Sequence, residues 1–220
     1  MKNKSAFTMI ELVFVIVVLG ILASLAMGRM DRDLKQEASE HILSHIRLTQ
    51  QLALRDNKHQ FNNDLNWYTR YWQMEYLQCD NGDYFYRVGS HTNHPNWGID
   101  VKEEAAIDSI DGRYIWADEL CTPENDTSKN VLLTKNFGIT NIINSGGCAA
   151  VNDIGFDYLG RPYNGIAQPV TADFSNIMTT DCNLTFTMSI DEDNDGNDDQ
   201  FIITIESETG HSFIYDQNQS

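Results

Sequence analysis

The residues best suited to binding a metal ion form an acidic loop near the C-terminus of the chain. Its candidate ligand positions are Asp191, Asp193, Asp195, Asn197 and Asp199. Aspartates at alternate positions followed by Gly196, which permits a sharp bend, are typical of a loop whose oxygens surround Ca²⁺. The loop is not a complete EF-hand, because Ile202 stands where that motif has a bidentate glutamate. We predict a calcium cofactor here; the alternative is a solvated acidic turn between two strands.

The four cysteines of the chain predict covalent cross-links. They are Cys79, Cys121, Cys148 and Cys182. An even number of cysteines in an exported domain indicates two disulfides, for which three connectivities exist. We favour the sequential pairing, Cys79–Cys121 with Cys148–Cys182. A four-cysteine metal site is not predicted, because no pair has the two-to-four-residue spacing that zinc ribbons use.

The histidines carry a weaker signal. His41 and His45 stand four residues apart and could share a metal on one helix face, but no His-Glu-x-x-His signature joins them. We interpret the pair as part of a solvated helix face, and His91 and His94 as polar loop residues. The sequence contains no Gly-x-Ser-x-Gly, P-loop or dinucleotide fingerprint. We therefore expect no enzymatic activity and no small-molecule substrate.

The N-terminus combines a short basic leader with an apolar run that contains one carboxylate, Glu11. An ionised glutamate in a membrane helix is costly unless it has a partner. If the chain is cut between Ala6 and Phe7, the new α-amino group becomes residue +1 and Glu11 becomes residue +5. The carboxylate can then neutralise the terminal amine of a neighbouring helix in a filament.

Two other interpretations of this segment compete with the first. An ordinary secretory signal would use residues 12–23 as its apolar core and residues 24–26 as its cleavage site. A plain uncleaved anchor would use residues 7–28, which are long enough to span a bilayer. Neither interpretation explains Glu11 or the helical pattern that follows it.

The leader, Ala6 and the run Phe-Thr-Met-Ile-Glu-Leu resemble the class III signal of type IV prepilins and type II secretion pseudopilins. The resemblance implies that a membrane prepilin peptidase removes residues 1–6, methylates Phe7 and leaves the apolar segment on the protein. Ala6 stands where the family usually has glycine. The resemblance also implies that the partners of the chain are other pilin or pseudopilin subunits and the bacterial inner membrane.

Apolar residues recur at intervals of three or four after residue 33, which predicts one buried helix face. These positions are Leu34, Ala38, Ile42, Ile46, Thr49, Leu52 and Ala53. No proline interrupts residues 7–56, so we predict a single helix over residues 8–56, about 70 Å long at 1.5 Å per residue. Gly20 and Gly28 are its weakest points, because glycine lowers helix stability by about 1 kcal/mol relative to alanine.

The remainder of the chain is strongly acidic. From residue 57 onward the sequence contains 8 basic and 26 acidic residues, a net charge of −18, whereas residues 7–56 are close to neutral. Such a surface repels phosphate at long range, which argues against a nucleic-acid partner.

The sequence pattern of this acidic part predicts a β-rich head domain. The predicted strands are 66–77, 84–88, 131–143, 155–158, 184–190, 201–206 and 213–215, and residues 89–130 are predicted to be an exposed, irregular loop region. An aromatic cluster accompanies the first strand: Trp67, Tyr68, Tyr71, Trp72 and Tyr76. It could stack on carbohydrate or bases, but we favour a sheet that packs on the helix.

Three further segments, residues 45–57, 154–162 and 203–214, resemble the stem end, the Gly-Arg turn and the last strands of GspH/FimT-type minor pseudopilins. The fold class implied is α+β, a long N-terminal helix packed on an antiparallel sheet. The predicted organisation is a leader (1–6), a transmembrane helix (7–28), an amphipathic stem (29–56) and a periplasmic head (57–220). The predicted function is a structural subunit of a secretion pseudopilus or type IV pilus. The alternative is a pilus-tip binding module for DNA or a surface ligand.

Overall fold

The computed structural model describes residues 9–27, 34–58, 67–92, 98–149, 151–166, 174–191, 196 and 198–215, with the side chains of residues 22–27, 68 and 69 outside this description. Two helices open the described part, α1 (Met9–Met27) and α2 (Leu34–Arg55). Residues 28–33, where the predicted single helix would continue, lie outside it. No helix within the described ranges is both long and apolar enough to cross a membrane. The transmembrane assignment of residues 7–28 therefore stays a prediction.

The described residues of the head form one short α-helix and eight strands. They are α3 (Leu133–Phe137), β1 (Trp72–Gln78), β2 (Tyr84–Ser90), β3 (Ile139–Gly146), β4 (Asp153–Phe156), β5 (Pro162–Asn164), β6 (Cys182–Met188), β7 (Gln200–Ile205) and β8 (Ser212–Ile214). The strands form two antiparallel four-stranded sheets with the orders β2-β1-β4-β5 and β3-β6-β7-β8. The predicted α+β class with antiparallel sheets is confirmed.

Helix α2 lies against both sheets, contacting β1 and β4 of the first and β7 and β8 of the second. Its buried stripe, which includes Ile42, Ile46 and Ala53, joins one hydrophobic core with residues from both sheets. Burial of an isoleucine side chain stabilises a fold by roughly 1.5–3 kcal/mol. The stem helix is therefore a structural part of the head.

Two strand predictions were partly wrong. Residues 66–77 were predicted as one strand, but Trp67–Arg70 form a 3₁₀ turn and β1 begins at Trp72. Residues 131–143 were also predicted as one strand, but α3 precedes β3 because Gly138, with φ of +69°, caps the helix and reverses the chain. Short β5 was missed, because three residues give no periodic signal.

The interpretation of residues 89–130 as an exposed loop was also wrong in part. The described residues from 98 to 130 contain no long strand, yet Ile99, Ile115 and Ala117 are buried. Backbone bonds from Ala106 to Val88 and from Val88 to Ile115 attach this segment to the edge of β2. A sequence rich in turns can still cover a core when its scattered apolar residues face inward.

Candidate functional site

The predicted processing and assembly residues lie at the start of α1. Ala6 and Phe7 precede the described part of the chain. Glu11 lies in the first turn of α1, where an acidic side chain interacts favourably with the positive end of the helix dipole. Glu11 is four residues after the predicted new N-terminus, Phe7, in the sequence.

The described surface of α1 is apolar and exposed. Phe14 is 70% exposed and Leu19 is 58% exposed, and large apolar side chains line every face from Met9 to Ile21. Soluble monomers seldom expose apolar patches of this size, and such patches mark contacts with proteins or membranes. None of the described side chains of α1 belongs to a hydrophobic core cluster of the chain.

The stem helix α2 is tied to two tight turns of the head by one side chain. Gln50 Nε2 donates to the carbonyl oxygen of Gly160 at 2.9 Å and to that of Thr209 at 2.8 Å. One turn away, the guanidinium of Arg47 donates twice to the carbonyl oxygen of Ser212, at 3.1 and 2.7 Å. Residues 45–57, 154–162 and 203–214, the three segments that resemble parts of minor pseudopilins, therefore contact one another here.

Glycines make this meeting point possible. Gly210 has φ of +67°, and a Cβ there would overlap the carbonyl oxygen of Gly160 and approach Gln50 Nε2 to 2.6 Å. A side chain at this position would therefore be excluded by both backbone conformation and space. The contact between the two turns requires glycine.

An ion pair between buried Asp157 and partly exposed Arg161 supports the first of these turns. Asp157 is fully buried, and it accepts hydrogen bonds from the backbone of Leu159 and Arg161 at 2.9 Å. The guanidinium of Arg161 lies 2.7 Å from the same carboxylate. Since a buried carboxylate is stable only with such partners, the Gly-Arg turn is held in one conformation.

The four cysteines form two disulfides, Cys79–Cys121 and Cys148–Cys182, which is the sequential connectivity. The first bond joins the end of β1 to the segment that covers β2. The second joins the β3–β4 connection to the start of β6. Each bond therefore holds an irregular segment on the sheets.

The acidic loop connects β6 to β7. Asp191 Oδ2 accepts the backbone N–H of Gly196 at 2.9 Å, and Asp199 Oδ1 lies 3.6 Å from Lys35 Nζ of α2. Three predicted ligands lie outside the described residues: Asp193, Asp195 and Asn197. The bend at Gly196 has φ of +87°, as the loop motif requires. The calcium site stays a prediction.

The aromatic cluster packs inside the head and does not form an exposed platform. Trp67 and Tyr71 are buried in a small second core with Tyr163, and Tyr76 is buried in the main core. Trp72 is half-buried and donates to Asp56 at 3.1 Å. The side chain of the remaining member, Tyr68, lies outside the description.

A buried carboxylate at the centre of the first sheet had no sequence signal. Glu75 of β1 faces Arg87 of β2 and Asp153 of β4 in the strand register, and Asp100 is also nearby. Glu75 Oε1 accepts from Ile99 N at 2.9 Å and from Gln73 Nε2 at 3.0 Å. Burial raises the pKa of Glu75 to about 7, although Arg87 and the bond from Ile99 oppose this rise.

The interpretation of His41 and His45 as a solvated face was wrong. His45 is 2% exposed and His41 is half-buried. His45 is three residues from Ile42 and four from Thr49, so the periodicity of the buried stripe could have indicated its position. His91, predicted as a loop residue with nothing nearby, is also buried, 3.5 Å from Glu104. His94 lies outside the described residues.

Comparison with known proteins gives one match. The family model described as "Prokaryotic N-terminal methylation motif" matches residues 1–27. No curated protein and no solved structure matches the chain. The match supports a type IV pilin-like family with processing by a prepilin peptidase and with pilin subunits as partners. It also indicates a membrane-anchored or filament protein.

Proposed function

We propose that this chain, which carries the N-terminal methylation motif of pilin-like proteins, is a structural subunit of a type II secretion pseudopilus or a type IV pilus. Within that class we assign it to the minor subunits of the GspH/FimT type. It is anchored in the bacterial inner membrane, with its head in the periplasm, until it enters a filament. It is not an enzyme and has no small-molecule substrate.

The main support for this proposal comes from α1. Its exposed surface is apolar, yet its first turn contains one carboxylate. A helix that is apolar on all sides is stable only when lipid or other helices cover it. An ionised glutamate within such a surface is costly in a membrane unless a cation pairs with it there. The methylation motif over residues 1–27 accounts for both features.

Assembly follows from the chemistry of the new N-terminus. After cleavage before Phe7, the α-amino group and Glu11 of one chain stand about one helical turn apart. An amine from one subunit can therefore pair with the Glu11 carboxylate of the next subunit along the filament. Between apolar helices the attraction is stronger than in water, because the local dielectric constant is low. The pair then selects one axial register among otherwise similar apolar contacts.

The head supports the same proposal through its cross-links and its attachment to the stem. Two disulfides are expected of a domain in an oxidising compartment such as the periplasm. The bonds from Gln50 and Arg47 hold the head on α2. A force transmitted along the stem would therefore move the head as one unit with α2.

The test is mass spectrometry of the N-terminus of the native, membrane-extracted protein, followed by an assembly assay. We expect a chain that begins at N-methylated Phe7. Glu11→Ala should then abolish incorporation into filaments, while Glu40→Ala, which removes an exposed carboxylate of α2, should leave it unchanged. A chain beginning near Met27 would identify a released protein and overturn the proposal. So would normal incorporation of the Glu11→Ala variant.

The tip-binding alternative receives no support from the described residues. The Trp/Tyr cluster presents buried rings, and the head is strongly acidic. A gel-shift assay at low salt, where nonspecific binding is strongest, tests the DNA version directly. We expect no retardation of DNA by the protein.

We also propose that the acidic loop binds calcium. Asp191 and Asp199 bracket a glycine bend of the type that calcium loops use, and the intervening aspartates repel one another without a cation. The site would join the ends of β6 and β7. Its test is given with the predictions below.

A further inference from the structure

A group of three metal-ligating side chains lies between α2 and the segment that follows residue 98. His41 and His45 project from adjacent turns of α2, and Asp108 approaches them from the segment. One potential ligand atom of each residue lies within 4.8 Å of the other two. The sequence separation between helix and segment explains why the pattern of the sequence could not reveal this group.

The group is buried and its inward-facing atoms are not satisfied. His45 and Asp108 are 2% and 1% exposed. Within the described part of the protein, His41 Nε2, His45 Nε2 and Asp108 Oδ2 are buried and have no hydrogen-bond partner. Buried polar atoms without a partner are rare and costly, and a bound ion is one of their ordinary explanations.

The opposite edges of the same groups are satisfied, which fixes their orientation. The hydroxyl oxygen of Tyr86 lies 2.7 Å from His45 Nδ1 and 3.1 Å from His41 Nδ1. Asp108 Oδ1 accepts the backbone N–H of Ile110 at 2.8 Å. A tyrosine oxygen has two lone pairs, so it can accept an N–H from both imidazoles. Both Nε2 atoms then present lone pairs.

With both rings in this tautomer, His41 Nε2, His45 Nε2 and Asp108 Oδ2 are three acceptor atoms that face one another. Two imidazoles and a carboxylate together form a donor set for a divalent cation, and the carboxylates of Asp111 and Glu37 add to the negative potential at His41.

We propose that His41, His45 and Asp108 bind one Zn²⁺ ion, or a d-block divalent cation of the same class, with a water molecule as the fourth ligand. The ligand set of two imidazoles and one carboxylate is one that zinc accepts. Ligand atoms about 2.05 Å from a tetrahedral zinc are roughly 3.3 Å apart. His45 Nε2 and Asp108 Oδ2 are 3.5 Å apart, which is long for a hydrogen bond but close to this value.

Tyr86 and the loop of Asp108 are positioning groups in this proposal. Histidine ligands of a metal ordinarily donate their second ring N–H to an acceptor, which sets the tautomer, and Tyr86 supplies that acceptor for both rings. The Asp108 loop is closed by backbone bonds from Asp108 to Arg113 and from Gly112 to Asp108. The ion would therefore attach this loop to the stem helix. This inference stands independently of the proposed filament role.

The test is zinc titration of the full-length, detergent-solubilised protein after removal of metals by a chelator, with calcium in excess to occupy the acidic loop. We expect one zinc per chain by calorimetry and an increase in melting temperature. Titration with Co²⁺ should give the visible absorption of a tetrahedral site with nitrogen and oxygen ligands. The absence of zinc binding by the folded protein would overturn the proposal.

Variants separate this site from other histidines and carboxylates. His41→Gln and Asp108→Asn should each remove the bound equivalent, and Tyr86→Phe should weaken binding about 10-fold to 100-fold. His211→Gln, which changes an exposed histidine on the far end of the chain, is the matched control and should bind as the parent does. Near-ultraviolet circular dichroism of the metal-free variants checks that each is folded. Unchanged binding in folded His41→Gln and Asp108→Asn would overturn the proposal.

Discussion

The two long helices of this chain use apolar residues in opposite ways. Helix α1 is apolar except for Glu11 in its first turn, and it exposes Phe14 and Leu19. Helix α2 is amphipathic, and Ile42 and Ile46 of its apolar stripe are 1% exposed. The head and α2 share one core, whereas the described side chains of α1 belong to neither core cluster. Apolar content alone therefore does not tell whether a helix stabilises its own fold.

The two helices differ in how their apolar residues are spaced along the sequence. An apolar stripe of about 100° selects one face for burial and leaves the other in water, so it directs α2 onto the sheets. An apolar helix without a stripe has no preferred face and requires partners on every side. The head should therefore unfold as one unit that includes α2, and changes in α1 should leave that unfolding unaffected. The following predictions test whether the head and α2 unfold together, independently of α1.

The largest expected effect on the head comes from a disulfide. Cys148→Ala with Cys182→Ala removes the cross-link between the β3–β4 connection and β6, and we expect the free energy of unfolding to fall by about 4 kcal/mol in the chain-entropy description. Denaturant unfolding followed by tryptophan fluorescence measures this, because every tryptophan lies beyond residue 66. Prepilin processing depends on the N-terminus and should be retained. Loss of processing without any loss of stability would contradict the view that the head and α2 form one folding unit from which α1 is separate.

The comparison of the helices is tested most directly by one pair of substitutions. Ile46→Ala leaves a cavity between α2 and the sheets and should lower the free energy of unfolding by about 3 kcal/mol. Ile16→Ala makes the same chemical change on exposed α1 and should leave the unfolding of the head within about 0.5 kcal/mol of the parent. Chemical unfolding in detergent measures both. Equal effects would show that α1 and the head form one cooperative unit.

The buried Glu75 should give the head a distinctive pH dependence. Its pKa of about 7 in the folded state is above the ordinary glutamate value of 4.5, so the folded state holds the proton more tightly. The free energy of unfolding therefore falls as the pH rises from about 4.5 to 7. The expected decrease is up to roughly 3 kcal/mol, at 1.36 kcal/mol per pKa unit.

Glu75→Gln removes the titrating group and keeps a side chain of similar shape that still accepts from Ile99 and Gln73. We expect the variant to be more stable than the parent at pH 8 and similar to it at pH 4. Unfolding measured at the two pH values gives the difference, and Glu40→Gln on the exposed face of α2 is the control. A parent protein that gains stability relative to Glu75→Gln between pH 4 and 8 would contradict the assignment.

The smallest expected effect is that of calcium. Removal of calcium should lower the melting temperature of the head by about 2–4 °C, which corresponds to about 1 kcal/mol for a chain of this size. The measurement is a melt of chelated protein with and without added Ca²⁺, with zinc held constant. Asp193→Asn with Asp195→Asn should abolish the response. An unchanged melt of the parent on addition of calcium would remove the calcium proposal.

Local patterns predicted much of the fold. The three-to-four periodicity identified the buried stripe of α2, and the predicted strands 66–77 and 84–88 overlap the paired strands β1 and β2. Most of the later strands were located to within two residues, because alternating apolar residues and turn signals are short-range features. The boundary errors at Trp67–Arg70 and at α3 arose where aromatic or apolar density was taken for a strand although the backbone turns.

The N-terminal motif, the position of Glu11, the amphipathic stem and the charge of the head could all be recognised from the sequence, because each depends on local residue types or on composition. Contacts between residues distant in the chain became visible only in the folded protein. The fold brought Gln50 to the turns at Gly160 and Thr209, Glu75 to Arg87 and Asp153, and the stem histidines to Asp108. These contacts depend on how the sheets pack on α2, and packing of surfaces distant in sequence leaves no periodic trace in the chain.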